Sequence, residues 1–166
     1  MFGHFFGQSS FARHAIATEH NAVKVDADLP LAPLGPLACG VQTGAGAVWN
    51  SLNPAAGTGI AIFAAGSVGL SAVMAAAVAG CDPLVAVDIQ ADRLALAAEL
   101  GATHVLNSKD TDVVAAVVDL TSGRGVHYSL DCIGLPDVLA QALSCLQSPG
   151  VCATVGVSGR QQSCHD

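Results

Sequence analysis

The sequence predicts an α/β fold: a doubly wound parallel sheet, truncated at about five strands. Three observations predict it. Short apolar runs of strand length recur at Ile60–Phe63, Leu84–Val87, His104–Leu106, Val126–Leu130 and Val151–Val155. Segments of helical length and pattern separate each run from the next, and strands that alternate with helices pair in parallel through crossover connections. The chain is 166 residues long, 52% hydrophobic and only 11% charged, so a large share of it must be buried.

Before this alternation begins, Phe11–Thr18 and Ala22–Val25 have strand-like patterns broken by polar residues. Leu29–Pro36 holds three prolines and reads as a linker or domain edge. Gly35–Leu52 is rich in small residues and predicts a helix ending near Asn53-Pro54, because a residue before proline is pushed out of the helical region. The first strand is then Ile60–Phe63, followed by a helix over Val68–Ala79. The next helix, Ala91–Leu100, carries a small apolar stripe at Ala91, Leu94, Ala95 and Ala98. Val113–Leu120 is helical in pattern and stops at Thr121-Ser122-Gly123. Pro136–Leu146 is a helix with proline in its first turn, where no amide is needed. Ser158–Asp166 is polar and patternless and reads as a tail. A six-stranded sheet would need a further βα unit after Val155, so the edge left there is expected to be open.

Charge and composition exclude several functions. A formal charge of −7 and a pI near 5.0 argue against nucleic acid or an anionic membrane as the main ligand. No charged residue occurs from Leu29 to Cys81, and Ile60–Gly80 reaches the roughly 20 residues that span a bilayer. Glycines at 66, 69 and 80 and the absence of a flanking Lys/Arg cluster favour a buried strand–helix unit instead. The first seven residues lack the basic and apolar regions of a signal peptide. The six cysteines (39, 81, 132, 145, 152 and 164) form no CxxC pair, which is the pattern of reduced thiols in a cytoplasmic protein.

Thr58–Asp88 is the most informative stretch. The strand Ile60–Phe63 runs into the small-residue turn Ala64-Ala65-Gly66, then a helix with Gly69 near its start. The following strand ends at Asp88, 22 residues after Gly66. This is the order of a dinucleotide-binding βαβ unit of the Rossmann type. Small residues let the backbone close on a pyrophosphate, and the helix N-terminus offers unpaired amides. A full GxGxxG would place glycine at 64, and Ala64 stands there. If Ala64 is left-handed, the strain is on the order of 1 kcal/mol. Asp88 can accept hydrogen bonds from ribose hydroxyls and repel a 2′-phosphate, which favours NAD over NADP. Arg93 either sits beside the adenosine or belongs to a solvated helix face. A methyltransferase also holds adenosine with an acid at the end of its second strand, so the turn leaves that reading open.

The chain resembles the zinc-dependent medium-chain alcohol dehydrogenases, most of all their aryl- or benzyl-alcohol branch. The likeness is carried by Phe5-Phe-Gly-Gln-Ser-Ser-Phe-Ala, Leu37-Ala-Cys-Gly-Val-Gln-Thr-Gly-Ala-Gly-Ala-Val and the Phe63–Leu70 turn. Val87-Asp-Ile-Gln-Ala-Asp-Arg-Leu, Glu99-Leu-Gly-Ala-Thr, Leu130-Asp-Cys-Ile-Gly and Ala142-Leu-Ser-Cys extend it, from about Phe5 to Val157. The resemblance implies that Cys39 is a ligand of a catalytic zinc and that Thr43 lies beside the nicotinamide. It implies a pyrophosphate turn at Ala64, Gly66, Val68 and Gly69, with Asp88 and Arg93 at the adenosine ribose. Ile133 would border the adenosine side, and Val155 and Val157 would orient the nicotinamide carboxamide.

By the same resemblance, residues 1–39 are a small β remnant of a GroES-like catalytic domain plus linker. Residues 40–157 are the NAD-binding Rossmann domain, and 158–166 a disordered tail. The family's other zinc ligands would precede Met1, and His4, His14 and His20 do not stand in their context. The implied function is NAD- and zinc-dependent oxidation of a small primary, aryl-type alcohol to an aldehyde, in a protein that forms homo-oligomers. The alternative is an NAD-binding fragment without turnover.

Overall fold

The computed structural model describes residues 13–14 and 16–157. Its contacts divide the chain into two compact units, Met1–Pro33 and Leu34–Asp166. In the first, the described residues carry one short 3-10 turn, Glu19–Asn21, and the first residues of a 3-10 helix that begins at Ala32, and are otherwise irregular. Ala22–Val25, strand-like in pattern, is exposed and forms no strand. No strand lies beside it among the described residues, and alternation alone does not make a ladder. Phe11, Ala12 and Ala15 lie outside the described residues, and the described positions of Phe11–Thr18 form no strand; the whole of Ser158–Asp166 lies outside.

The second unit holds five strands in the order β3-β2-β1-β4-β5, all parallel. They are β1 (Ile60–Phe63), β2 (Leu84–Asp88), β3 (His104–Asn107), β4 (Val126–Asp131) and β5 (Leu146–Thr154). The helices are α1 (Gly40–Gly46), α2 (Ser67–Val78), α3 (Ala91–Glu99), α4 (Val113–Leu120) and α5 (Pro136–Ser144). The expected sheet is therefore present, with β5 starting five residues earlier than the pattern indicated. The predicted helix over Gly35–Leu52 is three joined pieces: a 3-10 helix (Ala32–Ala38), α1, and a π-helix (Ala47–Leu52). Asn53, left-handed at φ 45°, ψ 57°, ends it before Pro54.

Successive side chains of a strand point to opposite faces, so each central strand feeds two cores. Ile60, Ile62, Leu84, Ala86 and Leu130 pack with α2, with Ala97 of α3 and with Ala47, Val48 and Leu52. Ala61, Phe63, Val85, Val87 and Val126 pack on the other face with Val113 and Val117 of α4 and Ala142 of α5. Both faces of β1 and β2 are buried, which is why these strands read as unbroken apolar runs. Asp112 caps α4, its side chain accepting from the Ala115 amide at 3.1 Å. Among the described residues no helix is long and apolar enough to cross a membrane.

Candidate functional site

The strand order reverses between β1 and β4, because the chain leaves β3 at one edge and re-enters beside β1. In a doubly wound sheet the crevice at the carboxyl ends of such strands is where ligands bind. Here Phe63 of β1 stands in register with Asp131 of β4, and the Cys132 amide donates to the Phe63 carbonyl at 3.0 Å.

From Phe63 the chain turns sharply into α2. Ala64 takes φ +72°, the left-handed region, and its amide donates to the Val87 carbonyl at 2.8 Å. Gly69, the third residue of α2, lies directly over Ala64. A Cβ there would overlap the Ala64 carbonyl, so glycine is what allows the helix to sit this close to the strand. No heavy atom lies within 4 Å of where a Cβ on Gly66 would stand, so the space in front of the turn is open. Gly66 is the N-cap of α2 and no side chain caps the helix; the first intrahelical bond runs from the Leu70 amide to the Gly66 carbonyl at 2.8 Å. The first-turn amides, Val68 among them, are therefore free to meet an anion.

Asp88 closes one side of the turn and is only 5% exposed. Its Oδ2 accepts from the Ala65 amide at 2.6 Å, and its Oδ1 accepts from the amides of Ile89 and Gln90 at 2.7 and 2.9 Å. Arg93 reaches Oδ2 at 3.9 Å with its side chain about half exposed. Arg93 thus stands beside the acid while its side chain still meets solvent.

On the other side, Ile133 is 40% exposed in the loop after β4, and Val157 is 87% exposed beyond β5. The Val155 amide donates to the Asp131 carbonyl at 2.9 Å. Cys39 is exposed at the N-cap of α1, and the Thr43 amide, one turn on, donates to its carbonyl at 2.9 Å. α1 reaches the same region by close packing. A Cβ on Gly40 would stand 3.0 Å from Ser67 Oγ, and one on Gly44 would overlap the Val68 carbonyl. The N-termini of α1 and α2 therefore adjoin, with Cys39 next to that contact.

Asp131 is the residue that sequence reasoning passed over as a site element. It is fully buried at the switch point. The signal was there: an acid closing an apolar strand, with glycine three residues later.

The thiols divide by burial. Burial, then the neighbouring Asp131 carboxylate, pushes Cys132 up to about 12. Burial, then Asp112, pushes Cys145 up to about 11. Burial also raises Cys81, against a hydrogen bond from Thr58. A cleft of about 150 Å³ lined by Gly59, Pro83, Thr121, Arg124 and His127 includes none of the site residues named above.

The residues fit one implied group and not the other. The open turn, the uncapped helix and the buried acid suit a dinucleotide. Zinc takes about three protein ligands. Among the described residues no three His, Cys, Asp or Glu side chains come together, and Cys39 alone does not fit the ion.

The reversed strand order, the tight turn and the acid at the end of β2 define a Rossmann-type nucleotide-binding domain. A sequence model described as zinc-binding dehydrogenase matches residues 67–165, and the chain belongs to that family. Geraniol dehydrogenase of Castellaniella defragrans is 51% identical over 153 residues, which is 92% of this chain and 41% of that protein. The crystal structure of benzyl alcohol dehydrogenase from Acinetobacter calcoaceticus superposes with a TM-score of 0.89 at 46% identity, over 96% of this chain and 44% of that one. An alcohol dehydrogenase zinc-binding domain protein from Burkholderia ambifaria gives 0.88 at 54%, over 96% and 43%. The chain thus spans less than half the length of these relatives.

Proposed function

We propose that this chain is the coenzyme-binding part of an NAD-dependent dehydrogenase that oxidises a primary, aryl-type alcohol to its aldehyde. The observation that carries the reading is the Asp88 carboxylate bonded to the turn it faces. Each carboxylate oxygen offers two acceptor sites. Oδ1 is filled by two amides, whereas Oδ2 holds one amide and keeps a site for a ribose hydroxyl. A 2′-phosphate at the same place would meet the acid, so NAD is preferred to NADP. The free amides of the α2 first turn receive the pyrophosphate. Ala64, Gly66, Val68 and Gly69 form that cradle, Asp88 and Arg93 hold the adenosine ribose, and Ile133 borders the adenosine. Val155 and Val157 present backbone groups to the carboxamide, and Thr43 lies beside the nicotinamide.

When bound, NAD supplies the hydride acceptor: the alcohol carbon gives up a hydride to the nicotinamide ring and the hydroxyl gives up a proton. In the whole protein, Cys39 would contribute one thiolate to a zinc completed by ligands from outside these residues. Cytoplasmic location and homo-oligomeric assembly go with the same reading. Residues 1–39 would belong to the catalytic domain with its linker, 40–157 to the coenzyme domain, and 158–166 to a tail. Because one zinc ligand does not make a site, this chain alone is expected to bind NAD without turning over alcohol.

Titration calorimetry of NAD against the chain and against Asp88→Ala tests the coenzyme reading. Binding that is lost in the variant is expected; equal affinity in both would overturn it. Zinc-dependent oxidation of benzyl alcohol by the purified chain would overturn the claim that it lacks turnover.

A further inference from the structure

Asp131 accepts hydrogen bonds at both carboxylate oxygens and at its own carbonyl. Its Oδ1 accepts from the amides of Ile133 and Gly134, both at 3.0 Å. Its Oδ2 accepts from the Thr154 hydroxyl at 2.9 Å and from the Gly134 amide at 3.2 Å. Its own carbonyl accepts from Val155 at 2.9 Å and Gly156 at 3.3 Å. One buried residue therefore fixes the loop after β4 and the exit from β5 at once. These two segments also touch, since a Cβ on Gly156 would overlap the Gly134 amide.

We propose that Asp131 is a positioning residue that locks the Ile133–Gly134 loop to the Thr154–Val157 segment, so that the two halves of a dinucleotide meet one preformed cleft. This rests on the NAD reading above. The side chain touches no cofactor itself; it acts through the groups it holds. With the lock in place, the segment after β5 is already ordered when the nicotinamide arrives. Without it, that ordering must be done on binding and is lost from the affinity. Thr154 is the link between the Asp131 side chain and the nicotinamide side, added to the backbone bonds of Val155 and Gly156, and the Ile133 and Gly134 amides keep their bonds to Oδ1 without it. Loss of the Thr154 hydroxyl should therefore loosen one half of the cleft and spare the other.

The test measures NADH by fluorescence titration and ADP by calorimetry, on the full chain. Thr154→Val is expected to weaken NADH about tenfold and leave ADP unchanged. Thr154→Ser, which restores the hydroxyl, should bind both as the parent does. Asp131→Ala should weaken both ligands, and if it fails to fold, the Thr154 pair carries the test. An unchanged NADH affinity in Thr154→Val overturns the proposal, as does an equal loss for NADH and ADP. A parent chain that binds neither ligand overturns the coenzyme reading, and the lock with it. Tight parental binding with an unaltered Thr154→Val overturns the lock alone.

Discussion

The Ala65 amide and the Asp88 carboxylate are joined at 2.6 Å, so the acid at the end of β2 holds the turn that follows β1. Asp88 is thus a structural element before any ligand arrives. Asp88→Ala leaves the buried Ala65 amide without its acceptor, a loss of about 1–3 kcal/mol. Asp88→Asn, which keeps one side-chain oxygen, should lose less. Urea denaturation would show this as a lower midpoint at unchanged slope. Coincident transitions for the parent and Asp88→Ala would refute the structural role.

Ala64 holds a conformation that suits glycine, at φ +72°. For an L-residue this costs about 1–2 kcal/mol. Ala64→Gly removes that cost but adds freedom to the unfolded chain, worth about 0.4–1 kcal/mol in the other direction. The strain is the larger effect, so the substitution should stabilise the chain by roughly 0.5–1 kcal/mol. A lower melting temperature for the variant would show that the turn has no strain to release.

Gly69 has the opposite character. It is buried in α2, where alanine is ordinarily the better helix former by about 1 kcal/mol. Here the added methyl would run into the Ala64 carbonyl. Backbone cannot yield as the end of a side chain can, so Gly69→Ala should cost about 3 kcal/mol or more despite the propensity gain. Circular dichroism during thermal unfolding would detect it. A variant as stable as the parent would mean that α2 can shift outward at little cost.

The parts of this molecule that could be read from the sequence are those set by local pattern. Ile60–Phe63 and Leu84–Val87 are buried on both faces, so they appear as apolar runs, and their crossover helices have no other place to go. Ala64 announced its own conformation by standing where glycine is usual. The strand-like Ala22–Val25 failed because pairing depends on a neighbour that its own pattern does not encode. The early start of β5 at Leu146 was hidden by Ser148-Pro149-Gly150, where the strand bulges away from β4 before regular pairing resumes at Val151. Asp131 was legible only as a strand end. Its bonds reach Thr154, 23 residues away, and no local pattern reports a contact at that separation.

The thiols give a prediction in pH. Cys132, whose ordinary value is 9.0, is raised to about 12, first by burial and then by Asp131. The folded chain therefore keeps this proton where the unfolded chain releases it. The folded state binds more protons above about pH 9, so stability must fall as pH rises. The contribution is fully present below pH 9 and is lost between there and about 12. Within that window each such thiol contributes a slope of about 1.4 kcal/mol per pH unit. Cys145, raised to about 11, acts in the same direction over a narrower window. Denaturation midpoints measured at pH 8, 9.5 and 10.5 should decline in the parent and decline less steeply in Cys132→Ala. Parallel pH dependences would show that the Cys132 thiol ionises as freely in the fold as outside it. The same burial bears on reactivity, since only thiolate is nucleophilic. Among the described cysteines, exposed Cys39 should be alkylated by iodoacetamide well before Cys81, Cys132 and Cys145, as read by peptide mass mapping. Early labelling at Cys132 would contradict the raised value.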